Sequence, residues 1–169
     1  MSALRIETDG AVLRVAMARP ERRNAFDAAL IDELAAAFAD VGDARAVVLS
    51  GDGPSFSAGA DVEWMRSSVD LSYEENVADA LRLRSMLDAI DSCPAPVVAR
   101  VQGHALGGGC GLVACSDVVI AEPAAQFAEP AGRDRARAQA DRQLVGGVGL
   151  GQLLAVVPEH DHLFPGRHE

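Results

Sequence analysis

The chain has 169 residues, 49% of them hydrophobic and 24% charged, which is about one domain's worth. Its 15 bases, all arginine, face 25 acids for a formal net charge of −10, and that balance argues against nucleic-acid binding by phosphate neutralisation. No run approaches ~18 apolar residues, so no membrane span is expected. Three cysteines, Cys93, Cys110 and Cys115, without a secretory signal point to free thiols in a reducing cytoplasm.

In chain order, Leu4 to Thr8 alternates, Asp9-Gly10 turns, and Val12 to Met17 continues, which predicts a hairpin. Arg19 to Asn24 is a polar loop. Asp27 can cap a helix with Leu30, Ile31, Leu34, Phe38 and Val41 on one face, ended by Gly42. Ala46 to Ser50 is a short apolar run suited to a buried strand. A short helix is expected after Asp61, with Val62, Trp64 and Met65 available for packing. Ser72-Tyr73-Glu74-Glu75 has the form of a capping box, ahead of a helix whose apolar residues include Val77, Ala80, Leu81, Leu87 and Ile90. Cys93-Pro94 stops it. Val97 to Val101 is a strand; a glycine-rich turn and a short helix around Leu112 to Cys115 follow. Val118 to Ala121 and Gln126-Phe127 are further strands. Strand, glycine turn, helix and strand in repetition is an α/β arrangement.

Two glycine-bearing segments carry the chemistry: Phe56-Ser57-Ala58-Gly59-Ala60-Asp61 and Gly103 to Gly111. Each follows a strand and opens a helix, where the first amides are unpaired and sit at the positive end of the dipole. Two such amides converging on one point would make an oxyanion hole; the alternative is a pair of tight turns in a packed domain. Other readings fail on spacing. The third glycine of a dinucleotide fingerprint would fall on Leu112 or Gln152, a chain without lysine cannot hold a P-loop lysine, and no G-x-S-x-G elbow is present.

A resemblance is carried by Arg19-Pro20 with Arg23-Asn24-Ala25, by Phe56 to Val62, by Val101-Gln102-Gly103-His104-Ala105-Leu106-Gly107-Gly108-Gly109, and by Ser116-Asp117 with the strand to Ala121. In this order the segments from about Leu4 to Phe127 resemble the enoyl-CoA hydratase/isomerase (crotonase) superfamily. Tyr73 to Asn76 and Gly109 to Cys115 look most like its methylglutaconyl-CoA hydratase branch. The resemblance implies an α/β fold, a crotonase-like spiral of repeated β-β-α units, and a place in fatty acid metabolism. It implies an acyl-CoA thioester as the partner, its carbonyl between the backbone N–H groups of Ala60 and Gly108. Arg23, Ala25, Ala58, Asp61 and Val62 would line the adenine and pantetheine of coenzyme A, which is part of the substrate, so no separate cofactor is implied. The family assembly would be a trimer or hexamer. The family's two glutamate positions fall on Gly111 and Ala131; Glu129 stands two residues before the second.

The character of the chain changes near residue 130. Gly132 to Arg142 has neither helical nor strand periodicity, Leu153 to Val157 could form a strand, and the last ten residues read as coil. The expected organisation is an acyl-CoA-binding core over 1–130, truncated relative to the family, and a non-family, poorly ordered tail over 131–169. A shifted reading frame near residue 130 is one account, which the gene sequence would test. Two functions stay open on this basis: a hydratase, or a non-catalytic remnant that at most binds acyl-CoA. His160-Asp161-His162 lies in that tail and is not expected to form a metal site. Cys110, Cys115, Met65 and Met86 read as core, and His104 as a structural histidine.

Overall fold

The computed structural model describes residues 2–128 and the backbone of a strand at Leu153–Val156. The elements in order are β1 (Leu4–Asp9), β2 (Val12–Met17), α1 (Ala28–Ala39), β3 (Ala46–Gly51), α2 (Val62–Ser67), α3 (Tyr73–Asp91), β4 (Val97–Val101), β5 (His104–Leu106), α4 (Gly108–Ala114), β6 (Val118–Ala121), β7 (Gln126–Ala128) and β8 (Leu153–Val156). A six-stranded sheet has the order β1-β2-β3-β4-β6-β8, and β5 pairs with β7 in a second sheet. The β1–β2 pair is the expected antiparallel hairpin, with Asp9 opposite Val12; every other pairing is parallel. The unit β4-β5-α4 is one complete turn of a spiral: a strand in the main sheet, a strand in the second, then a helix. β6-β7 begins the next turn.

Alternation within the strands decides which face is buried. Val15 and Met17, Val47 and Leu49, Val97, Ala99 and Val101, and Val119 and Ala121 all point into one core. They pack against Leu30, Ile31, Leu34 and Phe38 of α1 and against Met86 and Ile90 of α3. Each fully buried side chain of this size contributes about 1.5–3 kcal/mol. Arg14, Val48 and Val98 lie in register across the opposite face and are exposed or half-buried.

Local signals set the helix starts. Asp27 caps α1, its carboxylate accepting from the Leu30 N–H at 3.0 Å. α1 ends at Ala39 rather than running to Gly42, because Asp40 leaves the helix in an extended conformation and takes the Gly42 N–H on its side chain. The capping box at Ser72 is present in both directions: the Ser72 hydroxyl accepts from the Glu75 N–H, and the Glu75 carboxylate accepts from the Ser72 N–H at 2.8 Å. That backbone bond holds the Glu75 carboxyl below its ordinary range. A carboxyl depressed on folding stabilises the folded state above its unfolded pKa, and this is lost as pH falls through the folded value. Glu75→Gln is therefore expected to lower the denaturation midpoint at pH ~7 and to lower it less at pH ~3. Equal effects at both pH values would contradict the assignment.

Packing corrects several expectations. Met65 and Val62 are 49% and 54% exposed, so of the α2 trio only Trp64 packs on the core. In α3 the N-terminal apolar residues stand in solvent, with Tyr73 and Leu81 80% and 58% exposed; Met86 and Ile90 are buried. β5 is a strand inside the segment expected to be a glycine-rich turn, and α4 starts at Gly108, earlier than the apolar run suggests. The strand expected over Leu153 to Val157 is present as β8, beside β6. The rest of the segment after Ala128, with Glu129, Ala131, the arginine-rich stretch and His160 to His162, lies outside the described residues.

Candidate active site

The site is built from the loop after β2 outward. Pro20–Arg22 forms one 3-10 turn, and Arg23 and Asn24 then take left-handed backbone angles, φ 51° and 53°. That geometry is uncommon for residues other than glycine, asparagine being among the most tolerant. Here the Asn24 side chain holds it. Fully buried, it donates to the carbonyls of Asp52 at 2.9 Å and Ser55 at 2.8 Å, and accepts from the Arg19 N–H at 3.0 Å. Its own carbonyl accepts from the Ser57 hydroxyl at 2.9 Å, and Ser57 Oγ accepts in turn from the Gly59 N–H. Gln102 ties the same loops together by donating to the Gly51 carbonyl.

The two glycine-bearing segments meet across this frame. Ser57 bridges to Ala105, its N–H bonding the His104 carbonyl at 3.0 Å and its carbonyl taking the Leu106 N–H at 2.9 Å. Phe26 bridges to Ala60: its N–H donates to the Gly59 carbonyl and its carbonyl accepts from the Asp61 N–H, both at 2.9 Å. The buried Phe26 ring also lies against Gly108, where any side chain would enter it. A methyl on Gly59 would stand 3.0 Å from the Gly108 nitrogen. Phe26 is thus the spacer between the two turns. In this pairing Ala60 skips its bond, and Gly108 is the first residue of α4. Among the described residues neither the Ala60 nor the Gly108 N–H has a hydrogen-bond acceptor.

The remaining candidate residues flank these turns. Ala58 donates its N–H to the Arg23 carbonyl at 2.9 Å, and the Ala25 carbonyl takes Arg19 Nη1 at 2.9 Å. The Arg23 side chain and Val62 are exposed. Asp61 is 5% exposed and turned into the protein: it caps α2 through the Glu63 N–H at 2.8 Å and pairs with Arg22 at 3.3 Å and Arg19 at 3.6 Å. Arg19 also pairs with Asp27 at 2.9 Å, so the start of α1 and the start of α2 share one cation. Glu63 first, and Asp61 after it, hold the Arg22 guanidinium above its ordinary value. At the other end of α4 burial pushes the Cys115 thiol up, with Asp91 and Asp88 adding to it, as suits a core thiol. No group of three or more metal-ligating side chains gathers among the described residues, and none of their helices is long and apolar enough to cross a membrane.

Residues 7–133 match the family Enoyl-CoA hydratase/isomerase. This chain belongs to that family. The relative named "Probable enoyl-CoA hydratase echA6" from Mycobacterium tuberculosis is 39% identical over 122 residues, covering 71% of this chain and 47% of that protein. The mitochondrial Delta(3,5)-Delta(2,4)-dienoyl-CoA isomerase of Rattus norvegicus is 36% identical over 118 residues, 63% of this chain and 36% of that one. The solved structure of an enoyl-CoA hydratase from Shewanella pealeana superposes with a TM-score of 0.70 at 36% identity, over 74% of this chain and 48% of the other. The fold is the crotonase α/β spiral. The chain spans about half the length of the curated relatives it matches. Both hydratases and an isomerase stand among the relatives, so membership does not by itself select one reaction.

Sequence reasoning found both turns of this enoyl-CoA hydratase/isomerase family member and missed what spaces them. Phe26 and Ser57 sit beside or inside the quoted segments but carry no chemistry of their own. Their part in the site comes from backbone pairing between residues more than thirty positions apart, which no local pattern announces.

Proposed function

We propose that the chain binds an acyl-CoA thioester with its carbonyl oxygen between the Ala60 and Gly108 N–H groups, and that the reaction is hydration of the α,β double bond. The observation that carries the reading is that these two N–H groups, on separate turns held together through Phe26, both lack an acceptor among the described residues. A donor of this kind contributes about 2.7–4 kcal/mol when charge develops on the oxygen it faces. In hydration, water adds to the β-carbon and the π electrons pass onto the thioester oxygen as an enolate. The two amides stabilise that charge until a proton is returned to the α-carbon. Arg23, Ala25, Ala58, Asp61 and Val62 line the coenzyme A moiety in this reading. Asp61 acts mainly by fixing the turn, because its carboxylate is committed to the α2 cap and to Arg19 and Arg22.

A second reading, acyl-CoA binding without turnover, is favoured by one observation: position 111 is a glycine and position 131 an alanine, so neither supplies a carboxylate for proton transfer. General acid–base groups contribute about 10²–10⁴ in rate. A hydration assay of the full chain on crotonyl-CoA and methylglutaconyl-CoA, paired with calorimetric titration of the same thioesters, separates the two. Turnover well above the uncatalysed rate supports the hydratase. Binding with a flat assay supports the second reading, and the absence of both sinks the acyl-CoA assignment.

A further inference from the structure

β1 is an outer strand of the main sheet, and among the described residues it pairs with β2 alone. The ends of the hairpin fix which of its main-chain groups are used. Asp9 stands opposite Val12 at the loop, and at the other end the Ala3 carbonyl accepts from the Ala18 N–H at 2.7 Å. Antiparallel bonding alternates along a strand, so the odd-numbered residues bond β2, and the main-chain groups of Leu4, Ile6 and Thr8 point away from it. The Leu4 N–H is held by the Glu33 carboxylate at 3.1 Å and by Ser2 Oγ at 3.2 Å. The Leu4 carbonyl and the N–H and C=O groups of Ile6 and Thr8 have no partner among the described residues.

The side chains give this edge a pattern that complements itself. Ile6 lies opposite Val15, on the core face, yet is 51% exposed because no described element stands beyond it. Arg5 and Glu7 flank it on the other face with opposite charges. Within one chain Arg5 bonds Glu7 at 2.8 Å and Asp52 at 2.7 Å, which holds its guanidinium over that face of the edge. When two such strands run antiparallel with Ile6 opposite Ile6, each Arg5 stands opposite the partner's Glu7. Those are the non-hydrogen-bonded positions, where Cα atoms are about 4.5 Å apart and side chains are closest. Centring the pair on Thr8 would set Glu7 against Asp9, two like charges. Centring it on Arg5 or Glu7 would present main-chain groups already spent on β2. Charge and hydrogen bonding therefore select the same register.

We propose that β1 is a docking edge for a second copy of this chain, joined antiparallel about a two-fold axis at Ile6, so that the two main sheets continue into one. Each Ile6 N–H donates to the partner's Ile6 carbonyl, and each Thr8 N–H donates to the partner's Leu4 carbonyl. The Ile6 side chains cover one another on the core face, and the Arg5–Glu7 pairs close the other face. The contact consumes both edges, so it ends at the dimer. It is independent of the acyl-CoA reading.

Sedimentation equilibrium of the full chain tests it. One strand edge is a small interface, so a dissociation constant on the order of 10–100 μM is expected. Arg5→Glu places two carboxylates opposite each other at both ends of the pair, and Glu7→Arg places two guanidiniums there. Each variant alone is expected to dimerise at least about tenfold more weakly than the wild type. An equimolar mixture of the two variants restores opposite charges at both positions and is expected to recover the wild-type dimer, which also shows that both variants fold. Ile6→Lys, a charge at the centre of the edge, is expected to abolish association. A wild-type chain that stays monomeric up to about 1 mM, a mixture no tighter than its components, or association that continues past the dimer would each overturn the proposal.

Discussion

Asn24→Ala is expected to destabilise the protein by about 3 kcal/mol or more, measured as the shift in denaturant midpoint at unchanged slope. The substitution removes the two donors that satisfy the Asp52 and Ser55 carbonyls and the acceptor of the Arg19 N–H, in a residue with no exposed surface. Each buried group left without a partner costs about 1–3 kcal/mol. Alanine is also less tolerant than asparagine of the left-handed backbone at φ 53°. The functional effect is indirect: the lost side-chain bonds hold the left-handed backbone at position 24, whose main-chain carbonyl accepts from the Ser57 hydroxyl. The Asn24 carbonyl anchors Ser57 Oγ, which holds the Gly59 N–H, so acyl-CoA affinity is expected to fall with stability. A change below about 1 kcal/mol would mean that water or a shifted loop satisfies these groups, and the hub would lose its importance.

The second large effect is expected for Gly59→Ala. Gly59 has φ 82°, and its Cβ direction runs into the Leu106 carbonyl oxygen, a backbone atom that cannot rotate away. An alanine there is strained by its conformation as well as by the contact, and a loss of about 2–4 kcal/mol is expected in equilibrium unfolding. The two turns must part to admit the methyl, which moves the Ala60 N–H relative to the Gly108 N–H. Acyl-CoA titration of the still-folded fraction at low temperature should show at least about a tenfold loss, since a misplaced donor forfeits most of its interaction. Unchanged affinity in a folded Gly59→Ala protein would show that the amide pair does not contact the ligand. Among the glycines of this site, Gly59 couples fold and function most directly.

Elements specified by contiguous residues were legible. The two-residue hairpin loop is Gly10-Ala11, one residue on from the expected Asp9-Gly10, and Asp27 and Ser72 set helix starts through side-chain bonds to amides three residues on. The apolar runs at β3, β4 and β6 are buried parallel strands because helices cover one face and neighbouring strands both edges. β5 was not legible: it is three residues long, and pairing with β7 makes it a strand. Nor could exposure along α3 be read. Periodicity says which residues share a face; it does not say whether another element covers it, and Leu81 is left in solvent while Met86 five residues on is sealed.

The sequence by itself determined the family, the two glycine-bearing turns and the capped helix starts, because each depends on interactions among residues a few positions apart. Only the tertiary structure decided that Phe26 spaces the turns, that Asn24 and Gln102 hold them and that Asp61 faces inward. Those facts depend on where the sheet and the spiral bring distant segments together, and the free energy of such contacts is invisible in any local pattern.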